Sequence, residues 1–111
     1  MTLVDTSIWI DHFRRGNARL QALLNEGEVA THPMVLGELA CGSLPHRVRT
    51  LDLLQRLPSL PQAPDSVVLH SIESARLWGK GIGWIDAHLL TAAAISGVPL
   101  WTLDRRLARL V

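Results

Sequence analysis

Four carboxylates stand where chemistry could be done. Asp5 ends the apolar run Met1-Thr2-Leu3-Val4, and Asp104 ends Leu100-Trp101-Thr102-Leu103. Glu38 sits in the otherwise apolar or small stretch Met34-Val35-Leu36-Gly37-Glu38-Leu39-Ala40-Cys41-Gly42, and Asp86 in Gly83-Trp84-Ile85-Asp86-Ala87-His88-Leu89-Leu90. Singly, each has a plain explanation. Asp5 and Asp104 can cap the helices that follow them, Asp86 can favour a helix dipole from the first turn, and Glu38 can edge an apolar face. Meeting in one crevice, four unpaired carboxylates would repel one another by several kcal/mol. A hard divalent cation relieves that repulsion, and Mg²⁺ and Mn²⁺ prefer carboxylate, water and phosphate oxygens. Such a site suits phosphodiester hydrolysis, because the ion lowers the pKa of a water and offsets charge on the leaving oxygen.

Competing chemistries lack their residues. Thr6 and Ser7 follow Asp5, but no Ser–His–Asp order or oxyanion loop accompanies them. No Gly-Lys-Ser/Thr phosphate loop is present. His12, His32, His46, His70 and His88 are scattered without paired zinc spacing. His88 is expected to pack or to face solvent.

The elements that must position the acids follow from the pattern. Residues 1–4 read as a strand, and Asp5-Thr6-Ser7 as the start of a helix through Phe13. Leu20, Leu23 and Leu24 mark a second helix. Residues 28–31 form a weak strand, and Pro33 opens a helix to Gly42. Pro45 opens another, on which Val48, Leu51, Leu54 and Leu57 share a face. Residues 59–64 form a loop with at most a short extended piece, and Asp65 caps a helix to about Trp78. After the glycine-rich connection at Gly79, Gly81 and Gly83, a helix runs from Trp84 to Ser96 and stops at Gly97. Val98–Leu103 reads as a buried strand, and Arg105–Leu110 as a helix. Strands alternating with helices predict an α/β domain with a mostly parallel sheet, rich in helix. Ligands of such sheets bind beyond the carboxyl ends of the strands, where Asp5 and Asp104 would stand.

Composition narrows the class. With 111 residues, 48% hydrophobic and 19% charged, the chain suits one packed domain and not a disordered one. The single cysteine, Cys41, precludes an internal disulfide and points to a reducing compartment, the cytoplasm. No signal peptide is evident. The longest stretch without formal charge, Ala87–Leu103, contains Gly97 and Pro99 and is shorter than the roughly 20 residues a spanning helix needs. Net charge is +1, so bulk charge argues for no particular partner.

Val4-Asp5-Thr6-Ser7-Ile8-Trp9-Ile10, Gly37-Glu38-Leu39, Trp84-Ile85-Asp86-Ala87-His88-Leu89-Leu90 and Leu100-Trp101-Thr102-Leu103-Asp104 resemble the four acidic motifs of PIN-domain ribonucleases. The resemblance is nearest to the VapC-type toxins of bacterial toxin–antitoxin pairs. It implies a three-layer α/β/α sandwich and Mg²⁺- or Mn²⁺-dependent endoribonuclease activity on tRNA or rRNA. It also implies a homodimer and inhibition by a VapB-type antitoxin. It makes Asp5 and Asp86 the firmest metal ligands, completed by Glu38 and Asp104 directly or through water, with Thr6 and Ser7 orienting the first acid. Family members continue past the last motif with a further helix turn and a final strand, whereas this chain stops at Val111. The expectation is one PIN-like domain over residues 1–111, short of that strand.

Other features read more plainly. Arg105, Arg106 and Arg109, like Arg14 and Arg15, read as solvated helix faces before RNA contacts. Trp9, Trp78, Trp84 and Trp101 read as core or interface aromatics, with Trp84 also placed to stack on a base. Lys80 sits between glycines on a loop that could approach substrate. Two rivals remain: a degenerate PIN fold that binds RNA or protein without cutting, and a phosphoacceptor receiver domain. The receiver needs an acceptor Asp ending a middle strand, and none lies between Leu57 and Pro64.

Overall fold

The computed structural model describes residues 1–111. In chain order the elements are β1 (Thr2–Val4), α1 (Thr6–Arg15), α2 (Ala18–Asn25), β2 (Val29–Ala30), α3 (Pro33–Cys41), α4 (Arg47–Gln55), α5 (Asp65–Ser74), α6 (Trp84–Ser96), β3 (Leu100–Trp101) and α7 (Arg105–Ala108). Helix starts follow local chemistry. The Asn17 side chain accepts from Leu20 N at 2.9 Å to begin α2, and His32 Nδ1 accepts from Met34 N at 3.0 Å ahead of Pro33 in α3.

The strands form one parallel sheet in the order β2-β1-β3, with Leu3 level with both Ala30 and Leu100. Its parallel neighbours lie on opposite sides of β1, so the two crossovers run in opposite directions. Right-handed crossovers of opposite direction carry their helices to opposite faces, which gives a helix-rich three-layer α/β/α sandwich. The central strand is therefore covered on both faces, and Leu3 and Val4 are fully buried. Around them pack Ile8 and Trp9 from α1, Leu20, Val35, Leu39, Leu54, Leu89, Leu100 and Leu107.

Several boundaries differ from the sequence pattern. Only Leu100 and Trp101 of Val98–Leu103 pair as strand. Beyond them, side-chain hydroxyls capture the backbone donors: Leu103 N donates to Ser7 Oγ at 3.0 Å and Asp104 N to Thr102 Oγ1 at 3.0 Å. Helix α5 stops at Ser74, short of Trp78. Arg76 turns left-handed at φ 54°, and Leu77 N closes back on Ile72 O at 2.9 Å. An arginine in that conformation leaves no signal in the sequence. Asp65 is the first residue of α5 rather than its cap. Helix α4 begins at Arg47, after a left-handed His46, and Val48 is 86% exposed, outside the stripe that buries Leu54. The short extended piece in 59–64 is real: Ser59 bridges in parallel to Thr31. No helix is long and apolar enough to cross a membrane.

Leu107 is fully buried although α7 has only four residues. It fastens the segment that carries Asp104. Leu107→Ala is expected to cost about 2–5 kcal/mol through lost transfer and cavity terms, read as a lower urea midpoint at unchanged slope.

Candidate active site at the carboxyl edge of the sheet

Asp5 follows β1, and Asp104 comes three residues after β3. Because β1 and β3 are parallel neighbours, both acids emerge at one edge, and Asp5 N donates to Trp101 O at 2.9 Å. Asp5 is buried. Its Oδ2 accepts from Ser7 Oγ at 2.6 Å and from Thr102 Oγ1 at 2.7 Å. Ser7 Oγ also lies 3.2 Å from Thr102 Oγ1. Two hydroxyls from two elements thus fix the orientation of this carboxylate.

Asp104 caps α7, with Oδ1 accepting from Arg106 N at 2.9 Å and Leu107 N at 3.1 Å. Asp86 closes the first turn of α6, its Oδ2 accepting from Gly83 N at 3.2 Å. On α3, Glu38 Oε1 accepts from Thr6 Oγ1 at 2.9 Å. The capping reading therefore holds for Asp5, Asp86 and Asp104, and not for Glu38. In each acid one oxygen is spent on a protein donor, while Asp5 Oδ1, Asp86 Oδ1, Asp104 Oδ2 and Glu38 Oε2 have no protein hydrogen bond. None of the four has a basic partner: the ion pairs of the chain use Glu28, Asp11, Asp52 and Asp65 instead.

The electrostatics match. Burial pushes the Asp86 carboxyl above its ordinary range, the Gly83 N–H partly offsets this, and the charges of Asp5 and Asp104 push it further up. Asp86 thus lies within electrostatic reach of Asp5 and Asp104. Glu38 approaches through Thr6 and lines a groove of about 600 Å³ with Ile10, Phe13, Arg14 and Leu44. No three His, Cys, Asp or Glu side chains close on a common point. An ion among them would complete its shell with water, as Mg²⁺ commonly does.

Of the two hydroxyls expected to orient Asp5, Ser7 does so; Thr6 does not, because α3 packs on α1 and brings the Glu38 carboxylate within 2.9 Å of its hydroxyl, which donates there instead. Thr102 was overlooked as an orienting residue. Its signal is a hydroxyl directly after β3 and two positions before Asp104, within 3.2 Å of the Ser7 hydroxyl.

Residues 2–111 match the family model described as PIN domain. The chain belongs to the PIN-domain family, in its VapC-type branch. It is 47% identical over 108 residues to "Ribonuclease VapC32" of Mycobacterium tuberculosis, in strains CDC 1551 / Oshkosh and ATCC 25618 / H37Rv, covering 96% of this chain and 87% of the relative. Its fold is that of PAE2754 from Pyrobaculum aerophilum, with a TM-score of 0.71 at 20% identity, covering 99% of this chain and 84% of that one. The four acids lie on β1–α1, α3, the start of α6, and β3–α7.

Two histidines are fully buried. His32 and His88 have ring centroids 6.3 Å apart, and neither His32 Nε2 nor either ring nitrogen of His88 has a hydrogen-bond partner. His88 Nε2 lies 3.3 Å from Asp65 Oδ1, outside hydrogen-bonding geometry. Burial, helped by His88, lowers the His32 pKa from 6.5 to about 4. The unfolded chain therefore binds more protons than the folded one between those values. Stability from this group is complete above about pH 6.5 and falls as pH drops towards 4, by up to about 3 kcal/mol. Urea unfolding at pH 7 and pH 4.5 checks this. His32→Asn retains a side-chain cap acceptor and is expected to flatten the dependence. An unchanged slope in that variant would assign the acid sensitivity elsewhere.

Proposed function

We propose that the chain is a metal-dependent endoribonuclease, the toxin of a toxin–antitoxin pair, and that Asp5, Glu38, Asp86 and Asp104 hold its ion. The observation that carries this reading is the pattern of four acids, each with one oriented oxygen, one free oxygen and no basic partner. The donor set is all carboxylate, which suits Mg²⁺ or Mn²⁺. When bound, such an ion supplies positive charge that makes a water acidic and stabilises the phosphoryl oxygens.

The residues of the chain supply alignment. Ser7 and Thr102 hold Asp5 by Oδ2 and leave Oδ1 without a protein donor. The Gly83 N–H does the same for Asp86, and Thr6 for Glu38. Asp104 is held by the first amides of α7. The substrate class is RNA, with tRNA or rRNA as targets. The relative named Ribonuclease VapC32 supports the chemistry, since 47% identity spans nearly the whole chain. The same kinship supports a VapB-type antitoxin as partner, a homodimer as the working form and the cytoplasm as its place.

The test is incubation of the purified protein with total tRNA and rRNA, with Mg²⁺, Mn²⁺ or EDTA. Discrete fragments that require the ion support the enzyme. RNA binding that ignores EDTA, without fragments, would favour a PIN fold that binds and does not cut. Within this mechanism Thr102→Val removes one donor to Asp5 at nearly constant shape. Outer-shell partners of metal ligands typically contribute 10- to 100-fold, so a loss of cleavage in that range is expected, with Thr102→Ser retaining most activity.

A further inference from the structure

Two of the four tryptophans are not in the core. Trp78 is 59% exposed and Trp84 is 40% exposed, against 3% for Trp9. They line one pocket of about 180 Å³ together with Leu77, Ile82, Gly79 and Gly83. That volume lies below the roughly 300–1,000 Å³ of drug-sized ligand sites, so the slot fits a single flat group. Gly79 and Gly83 present bare backbone to it, with open space where a Cβ would be. Trp84 is held on one side by His88, whose ring stands perpendicular at 4.7 Å. The slot therefore has at least one fixed aromatic wall.

Its place in the fold says what that flat group is. Gly83 lines the slot and also donates its N–H to Asp86 Oδ2. Trp84 and Asp86 share the first turn of α6. The connecting loop continues to Gly81, across which the Arg106 side chain lies, so close that a Cβ there would meet Arg106 Cδ at 2.6 Å. Arg106 belongs to α7, the helix capped by Asp104. Exposed Lys80 follows Gly79, a lining residue, on the same loop, and no acid lines the slot. An apolar, aromatic slot that shares Gly83 with the Asp86 turn, with Lys80 and Arg106 at the loop between its two tryptophans, complements a nucleotide: a ring to stack and a phosphate to pair.

We propose that the Trp78–Trp84 slot takes one unpaired nucleobase of the RNA, placing the neighbouring phosphodiester at the Asp5–Asp86–Asp104 crevice. This rests on the RNA-cleaving reading of the same site. It makes single-stranded or looped RNA the preferred substrate, because a base within a duplex is not free to enter.

The test uses the whole chain and a fluorescein-labelled single-stranded RNA decamer in EDTA, so that binding is read by anisotropy without turnover. Loss of one stacking platform typically weakens binding roughly 5- to 150-fold. Trp84→Ala and Trp78→Ala are each expected to raise Kd within that range. Trp84→Phe, which keeps an aromatic face, is expected to lose far less. The same RNA annealed to its complement is expected to bind more weakly and to be indifferent to these changes. Melting temperatures in EDTA identify any variant that fails to fold, and Trp84→Phe carries the comparison in that case. Unchanged Kd in both folded alanine variants would overturn the proposal. So would a Kd that follows only a change in sedimenting mass, since the tryptophans would then face a second copy of the chain. A parent that binds through the tryptophans but never cuts would sink the enzyme reading and leave the slot standing. A parent that cuts normally, with tryptophan-independent binding, would do the reverse.

Discussion

Asp5→Asn is expected to reduce RNA cleavage by more than about 100-fold while leaving the fold intact. Outer-shell partners of metal ligands are worth 10- to 100-fold, and Asp5 in the proposed site is itself a ligand, so that range is its floor. Asparagine keeps a side-chain oxygen that can accept from Ser7 and Thr102, as Asp5 Oδ2 does at 2.6 and 2.7 Å. It is also as good a helix cap as aspartate. What it loses is the charge. In the ion-free protein that loss removes repulsion from Asp86, whose carboxyl is pushed up in part by Asp5, so the melting temperature is expected to hold or rise. The check is a cleavage time course beside a thermal melt of the same preparation. A variant that cuts like the parent would remove Asp5 from the mechanism. A variant that is inactive and melts many degrees lower would show that Asp5 acts through the fold.

The second large effect is stabilisation by the ion. Binding to the folded state alone adds RT ln(1 + [L]/Kd), about 2.7 kcal/mol at a hundredfold excess over Kd. For a domain near this size each kcal/mol moves the midpoint by about 4–8 °C, so millimolar Mn²⁺ is expected to raise it by on the order of 10 °C. Asp86→Asn is expected to abolish the rise. Asp52→Asn is the control, since Asp52 is an exposed acid paired with Arg56 at 2.8 Å. The effect must also depend on pH with a definite sign. Asp86 has a raised folded pKa, so without the ion it favours the fold at low pH and opposes it as pH rises through that value. Ion binding needs the charged form, so the Mn²⁺ shift is expected to grow as pH rises through the same window. A midpoint unmoved by Mn²⁺ at neutral pH would count against a shared ion site, whatever the activity assay shows.

The exposed tryptophans and the two histidines mark where local pattern falls short. A tryptophan among apolar neighbours reads as core, yet only Trp9 is buried; Trp78 falls beyond the end of α5 at Ser74 and the left-handed Arg76. His88, between Ala87 and Leu89, showed only that it would pack or face solvent. Its partner His32 lies 56 positions away, and only the packing of α6 near the start of α3 brings them together.

The sequence by itself determined the elements and the chemistry at their ends. Apolar runs broken by Asp5 and Asp104 are local signals, as are Pro33 at a helix start and Gly97 at a helix stop. They survive because capping and φ preferences act within a few residues. The acidic motifs were legible for the same reason, each being a short string on one element. The tertiary structure alone decided what each acid does with its oxygens. Thr102 reaches Asp5 across 97 positions and Thr6 reaches Glu38 across 32, contacts that exist only because β3 pairs with β1 and α3 packs on α1. Strand pairing and helix packing are long-range choices made by burial of the whole core. No local pattern encodes which oxygen is tied and which is left free.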